Sequence, residues 1–357
     1  MENVLRDWDG EFALTAYDEP SGAYMFIAIH STRLGPGAGG TRMKTYDTPA
    51  DGLADACRLA GAMTLKMAVA GLPMGGGKSV LAVPGELDPR TRRNLLLRHA
   101  HNVHMLGGNY RTGPDMNTNS ADMDTLNEVT PFAFGRSVEK GGSGSSAPDT
   151  AVGVFHGIVA SVAHAYGSGD VAGKRVLVQG AGAVGEPLVE MLVKAGAHVI
   201  VSDVSLDRVE ALYDRLGVEV VAPASVLDTE CDVFAPCATG GVISAEVVPA
   251  LRCRIVAGAA NNPLVDPHRD GEALREAGIL YAPDFVINGG GAIHLIGYEA
   301  LGWTEEQVER GLEGIGTTLA EIYQAADAAG ISTEAAAERI AHARLDAAPG
   351  RPFLHEV

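Results

Sequence analysis

The sequence predicts an α/β protein of two domains, the second a doubly wound parallel sheet, and three observations carry that expectation. At 357 residues the chain exceeds what a single core usually organises, since domains average roughly 150 residues. Past about residue 150, short β-branched runs alternate with helical stretches of about 10 to 15 residues, the texture of right-handed crossovers and a parallel sheet covered on both faces. One of those runs, RVLVQ, leads directly into GAGAVG, a glycine pattern that opens a helix. The segment GGSGSSAPDT (141–150) has linker composition and marks the boundary. Domains are therefore expected over 1–148 and 149–330, separated by a cleft, with 331–357 forming a C-terminal helix that packs back on the first.

Taken in order, FALTAY (12–17) and AYMFIAIH (23–30) alternate apolar and polar residues around EPSG, which reads as a β-hairpin. A helical pattern spans about 50–70, where Leu53, Cys57, Ala60 and Met63 recur at three- and four-residue steps. SVLAV (79–83) reads as a buried strand, and residues 88–106 as a helix with Pro89 in its first turn. Residues 107–127 are polar and irregular before turning helical. In the second half, strands are expected at RVLVQ, HVIVSD, VEVV, CDVFAPC, RIVAGAA and ILYAPDFV, with helices at 186–196 and 205–215. Two further helices, about 304–328 and 333–346, close the chain. No internal repeat is evident.

Composition excludes several classes. The net charge of −18 leaves nothing to displace counterions from a polyanion, so nucleic acid is not an expected partner. No stretch approaches the roughly 18 uninterrupted apolar residues of a membrane span, and MENVLRDWDGEF lacks the apolar core of a signal peptide. A soluble, cytoplasmic protein is expected. Cys57, Cys231, Cys237 and Cys253 show no zinc spacing, so they read as free thiols, and no metal is expected.

Gly180, Gly182 and Gly185 complete G-x-G-x-x-G between a strand and a helix, which would place unpaired N–H groups and the positive helix end on a pyrophosphate. The second strand ends on Asp203, 18 residues after Gly185, where a carboxylate can accept hydrogen bonds from adenosine ribose hydroxyls. A carboxylate there repels a 2′-phosphate, and Val204 and Ser205 offer no arginine to replace it. NAD is the expected cofactor.

In the first half, GLPMGGGKSV (71–80) places a lysine behind three glycines. It is not a nucleotide phosphate loop, because the opening glycine of that motif would fall at position 72, which is Leu72. Lys66 and Lys78 straddle the glycines, and a helix-to-strand turn can aim both at one spot. Singly, each reads as a solvated surface charge. Their apolar neighbours, Met63, Leu65, Met67, Val80 and Leu81 among them, favour instead two buried cations that lower each other's pKa, leaving a lysine able to act as a base near neutrality. Asp115, in GPDMNTN, is a second candidate proton carrier, although loop aspartates are often turn residues.

GPGAGGTR, LPMGGGKSV, TGPDMNTN, SSAPDTAVGV, the glycine fingerprint, GAANN and NGGGAIHL occur in one order over about residues 8–345. In this the sequence resembles the glutamate/leucine/phenylalanine/valine dehydrogenase family. The resemblance implies oxidative deamination of an L-amino acid to a 2-oxo acid and ammonia, and an N-terminal domain that serves substrate binding and oligomerisation, so a homo-oligomer is expected. It makes Lys66 the ligand of the substrate α-carboxylate, Lys78 the group that activates water, and Asp115 the group that exchanges protons with the amino nitrogen. It places Gly39, Gly40, Pro114 and Asn262 at the amino acid, with Ala38, Ala292 and Leu295 along its side chain. It also places Ala183, Val184 and Ala238 with the fingerprint glycines at NAD, and Thr150 and Asn288 at the nicotinamide.

Glutamate-specific relatives typically carry lysine where Ala38 stands and serine where Leu295 stands, so a buried substrate carboxylate would be uncompensated, at a cost of several kcal/mol, roughly. Branched-chain enzymes usually have leucine at the position of Ala38. The smaller residue, with GPDMNTN and GGAIHL, favours phenylalanine ahead of leucine or valine, with tryptophan open. One departure stands out: Gly289 replaces the alanine usual after Asn288, which is expected to loosen that edge. A hydroxy-acid dehydrogenase and a non-catalytic NAD-binding protein are the alternatives from other classes.

Overall fold

The computed structural model describes residues 2–350. The chain forms two compact units. The first comprises the chain up to Ser145, Leu295–Gly302 and the described residues from Ala341 on; the second comprises Ser146–His294 and Trp303–Ile340. These cuts differ from continuous domains over 1–148, 149–330 and 331–357. Residues 331–340 cluster with the second unit, and the short excursion at 295–302 leaves no trace in composition.

The first unit contains α1 (Glu2–Arg6), β1 (Phe12–Asp18), β2 (Ala23–Ser31), β3 (Gly37–Ala38), β4 (Thr41–Lys44), α2 (Pro49–Val69), β5 (Gly75–Ala82), α3 (Pro89–Met105), β6 (Tyr110–Arg111) and α4 (Ser120–Asn127). The expected hairpin is β1–β2, paired from Phe12↔Ile29 to Asp18↔Ala23. The sheet runs β1-β2-β5-β3-β6, with β4 also on β5. It is mixed, because β2 is antiparallel to β5 while β3 and β4 run parallel to it. The capping box of Thr48 and Asp51 starts α2, and Asp88 caps α3 ahead of Pro89.

All eight residues of β5 are buried, because helices cover both of its faces. Phe26, Ala28 and Val80 pack with Leu53, Ala56, Cys57 and Ala60 of α2. Met25 and Leu81 pack with Leu95, Leu96 and Ala100 of α3. Since side chains alternate along a strand, Gly76, Lys78 and Val80 share the α2 face.

The second unit opens with α5 (Ala147–Tyr166), whose first turn takes up the last four residues of the glycine–serine segment, with Pro148 near its start. There follow β7 (Arg175–Gln179), α6 (Gly185–Lys194), β8 (His198–Ser202), α7 (Leu206–Leu216), β9 (Glu219–Val220), β10 (Val233–Pro236), β11 (Ile255–Val256), α8 (Pro267–Glu276), β12 (Leu280–Tyr281) and α9 (Asp284–Ile287). The chain ends in α10 (Gly290–Ala300), α11 (Glu305–Ala329) and α12 (Thr333–Ala347). Of these, α5, α8, α9 and α10 were not expected; ILYAPDFV, read as one strand, keeps only Leu280–Tyr281 as strand, and Pro283 ends it so that Asp284–Ile287 turns helical. The sheet order is β12-β11-β10-β7-β8-β9, parallel throughout. Chain direction along the sheet reverses between β7 and β10, the switch point at which doubly wound sheets bind ligands.

The four cysteines are free, with Cys57 and Cys231 buried. Among the described residues no helix is long and apolar enough to cross a membrane, and no group of three or more His, Cys, Asp or Glu could hold a metal ion.

Glu334, in the first turn of α12, is only 4% exposed. Burial, with Asp284 and Glu338 nearby, pushes its pKa up to about 9 from 4.5. Between those values the folded protein keeps a proton that the unfolded chain loses, so this group makes stability fall as pH rises. Glu334→Gln is therefore expected to stabilise the protein more at pH 8 than at pH 5, by at most about 1.4 kcal/mol per pH unit. Urea unfolding at the two pH values measures this, and an equal effect at both would contradict a buried neutral carboxyl.

Candidate active site

The three glycines before Lys78 are not all turn, as the sequence suggests; Gly75, Gly76 and Gly77 already belong to β5. Their role is close approach. A Cβ on Gly76 would lie 2.1 Å from Thr64 Oγ1 and 2.3 Å from the Thr64 backbone nitrogen, and one on Gly39 would lie 1.8 Å from the Gly77 carbonyl oxygen. Only bare backbone lets α2 and β3 come this near to β5. Lys66, half-buried in the last turn of α2, and Lys78 thus each stand two residues from the Thr64–Gly76 contact.

Lys78 is 5% exposed, and its Nζ lies 3.1 Å from Asp115 Oδ2. Arg42, the last residue of GPGAGGTR and not an expected site residue, donates from Nε to the same oxygen at 2.9 Å. Its Nη1 donates to Asp55 Oδ2 at 2.9 Å, and the Tyr46 hydroxyl donates to that oxygen at 2.7 Å. The Asp115 loop is tied down by its own N–H donating to Thr118 Oγ1 at 2.9 Å and by the Thr118 hydroxyl donating to the Thr41 carbonyl at 2.7 Å. Asp115 is thus more than a turn residue.

Burial lowers the Lys78 pKa below the ordinary lysine value, and Arg42 lowers it further, while Asp115 offsets this only in part. The cationic repulsion expected from Lys66 therefore comes from Arg42. Burial by itself would raise Asp115, but Lys78 and Arg42 outweigh it and hold the carboxyl below the ordinary value. The arrangement is an anionic proton acceptor in contact with a cation that gives up its proton more readily than usual. Beneath it, fully buried His99 is kept neutral by burial, with its pKa near 4, and its Nε2 lies 3.1 Å from Ser79 Oγ.

The remaining first-unit candidates lie around this pair. Ala38 is buried in β3, and the Gly40 backbone approaches Pro114, since a Cβ on Gly40 would lie 2.6 Å from the Pro114 carbonyl. Leu295 faces two glycines: an added Cβ would lie 3.7 Å from its Cδ1 at Gly113 and 3.4 Å from its Cδ2 at Gly135.

In the second unit the glycines divide their roles. Gly180 has φ +105° and turns the chain against Ala238 at the switch point, where a Cβ would lie 2.9 Å from the Ala238 Cβ. A Cβ on Gly185 would lie 1.8 Å from the Gly180 carbonyl oxygen, so this glycine permits close helix–strand packing. A Cβ on Gly182 would meet only Arg208 Nη1, at 3.8 Å, leaving room for a ligand to approach the backbone there. Ala183 and Val184 lead from it into α6. Asp203 accepts from the Ala181 N–H at 2.7 Å and the Ser205 N–H at 2.8 Å. Burial would raise its pKa, but those N–H groups and Arg208 hold it below the ordinary value. These residues fit a dinucleotide. No motif marks Arg208 in the sequence, because it stands five residues beyond Asp203, in the first turn of α7, and is brought back to Gly182 only by the fold.

Thr150 and the glycines after Asn288 come together, since a Cβ on Gly290 would lie 2.9 Å from Thr150 Cα and one on Gly291 would lie 3.0 Å from Thr150 Oγ1. Asn288 is ordered by donating from Nδ2 to Asn261 Oδ1 at 2.9 Å and to the Ala259 carbonyl at 3.2 Å. The GAANN loop is therefore joined to the Asn288 turn. Ala292 lies half-buried in α10, and Asn262 lies exposed in the loop.

Residues 18–131 match the model of the Glu/Leu/Phe/Val dehydrogenase dimerisation domain, and residues 205–349 match that of the glutamate/leucine/phenylalanine/valine dehydrogenases. The chain belongs to this family. As a Glu/Leu/Phe/Val dehydrogenase it is 40% identical to the leucine dehydrogenase of Geobacillus stearothermophilus, covering 96% of this chain and 92% of that one. It is also 40% identical to the valine dehydrogenase of Streptomyces coelicolor, over 96% and 94%. The crystal structure of L-tryptophan dehydrogenase from Nostoc punctiforme superposes with a TM-score of 0.84 at 35% identity, covering 97% of this chain and 98% of that one.

Gly76→Ala is expected to destabilise this Glu/Leu/Phe/Val dehydrogenase by about 1–3 kcal/mol, because the methyl group meets helix backbone that cannot rotate away. Thermal unfolding measures this, and an unchanged midpoint would show that α2 and β5 have slack.

Proposed function

We propose that the protein catalyses the reversible NAD-dependent oxidative deamination of an L-amino acid with an apolar side chain. The observation that carries this reading is the buried Lys78–Asp115 pair, with Arg42 on the same carboxylate oxygen. Lys66 holds the substrate α-carboxylate, with Asn262 as a second contact, and Gly39, Gly40 and Pro114 let the backbone come close to the amino acid. Asp115 takes a proton from the substrate ammonium, so that the nitrogen lone pair can assist loss of hydride from Cα. Bound NAD supplies the hydride acceptor. Lys78, in its neutral form, accepts a proton from the water that adds to the iminium carbon, and Asp115 returns a proton to nitrogen; as the C–N bond breaks and ammonia leaves, the hydroxyl gives its proton to the freed Asp115 carboxylate and the 2-oxo acid forms.

The residues that would hold NAD are Gly180, Gly182, Ala183, Val184, Gly185, Asp203 and Ala238, with Thr150 and Asn288 at the nicotinamide. Asp203, held anionic, disfavours a 2′-phosphate, while Arg208 stands beside the glycine where a diphosphate is expected. We further propose a homo-oligomer acting in the cytoplasm; the match to a dimerisation domain supports the assembly.

Two observations point to different substrates. The relatives are named for leucine, valine and tryptophan, which favours a branched-chain amino acid or tryptophan over phenylalanine. Phenylalanine rests on the residues alone: the small Ala38, and Leu295 set against side-chain-free Gly113 and Gly135. Glutamate is disfavoured on either reading, because no cation stands at position 38 or 295.

NADH formation at 340 nm with phenylalanine, tryptophan, leucine, valine and glutamate, each with NAD and with NADP, is expected to show turnover of apolar amino acids with NAD and little with glutamate. A preference for leucine or valine would remove the phenylalanine reading and leave the mechanism intact. Silence with all five would redirect the assignment to hydroxy acids. Lys78→Ala is expected to lower kcat by at least about a hundredfold while NAD affinity stays unchanged. Near-normal turnover in that variant would dismiss Lys78 as the base.

A further inference from the structure

Asn262 is one of only two non-glycine residues with positive φ among those described, at +50°. Asparagine tolerates this region better than most residues, but the conformation still needs external support. Its backbone is fixed on both sides. The Asn262 N–H donates to Asp284 Oδ2 at 2.7 Å, and its carbonyl accepts from the Gly241 N–H at 2.8 Å. Gly240 leaves no slack, since a Cβ there would lie 2.5 Å from the Asn261 carbonyl oxygen and 2.6 Å from that of Asn262. The Asn262 side chain is nevertheless exposed, with no hydrogen-bond partner among the described residues.

Asp284 stands at the start of α9, and its own carbonyl accepts from the Asn288 N–H at 3.0 Å. Asn288 in turn reaches back through its side chain to Asn261 and Ala259. One helical turn, Asp284 to Asn288, therefore grips the 259–262 loop at two points.

We propose that Asp284 is a positioning residue for substrate binding: its carboxylate holds the Asn262 backbone in the left-handed conformation that presents the free amide to the amino acid. This rests on the reading of Asn262 as a substrate contact. A charge-assisted hydrogen bond to a backbone N–H is strong enough to hold that conformation, and Asp284 needs no contact with substrate to act.

The test uses the full-length enzyme with L-phenylalanine and L-leucine as probes, and compares Asp284→Ala, Asp284→Asn and Asn262→Ala. Asp284→Ala is expected to raise the amino-acid KM about tenfold, with the Kd for NAD within about a factor of two of the parent. Asp284→Asn keeps an oxygen that can accept the same N–H, so its KM is expected within about threefold of the parent. An unchanged KM in Asp284→Ala alongside a raised KM in Asn262→Ala would overturn the positioning role alone. An unchanged KM in Asn262→Ala would overturn both that role and the reading it rests on. Equal damage in the two Asp284 variants, or parallel loss of NAD binding, would mean that Asp284 serves the fold generally, and would also overturn the proposal.

Discussion

The first unit is organised around keeping a lysine charge manageable inside a strand that is buried from end to end. An ammonium group removed from water costs several kcal/mol, roughly, unless an anion stands against it. Asp115 fills that role, and it is itself shared with Arg42, which leans on Asp55. Lys78, Asp115, Arg42 and Asp55 thus alternate in sign across β5, the 113–118 loop, β4 and α2, and the more exposed Arg58 joins the end of the chain at Asp55. Any one of those first four, left alone, would be a buried uncompensated charge. The same economy sets the chemistry, because burial that is only partly offset leaves Lys78 less attached to its proton than a surface lysine, while Asp115 stays ionised.

Backbone proximity is the second constraint, and both units meet it with glycine. In the first, Gly39 and Gly76 remove side chains where β3 and α2 close on β5. In the second, Gly180 and Gly185 let α6 start directly over β7, while Gly182 keeps an approach to the backbone open. Gly289, where the sequence suggested a loosened edge, is followed by glycines packed against Asp149 and Thr150, and the neighbouring Asn288 side chain is tied to the 259–261 segment. Hydrogen bonding and close packing, rather than side-chain bulk, order this region.

Much of the fold was legible. The hairpin, the long helix ending near Lys66, and the alternating strands and helices after residue 150 all follow from periodicity and from Gly and Pro punctuation, which act locally. Apart from α5, whose buried residues do recur at helical spacing, what was missed had weak local signals. The helix α8 is short and polar, α10 opens on glycines, and β5 begins on three glycines that have no strand propensity but are drawn in by pairing with β2 and β3.

The residues with the strongest chemical character, Lys66, Lys78, Asp115, Asp203 and the fingerprint glycines, were marked by the sequence alone, because residue type and motif spacing constrain what they can do. Their partners were not. Arg42 meets Asp115 across 73 positions, Asp284 meets Asn262 across 22, and Arg208 reaches Gly182 from the next helix. Which charge faces which, which way a pKa moves and which backbone is held in a strained turn depend on desolvation and on distances between segments remote in sequence. Only the folded chain sets those distances, whereas local order is already written in neighbouring residues.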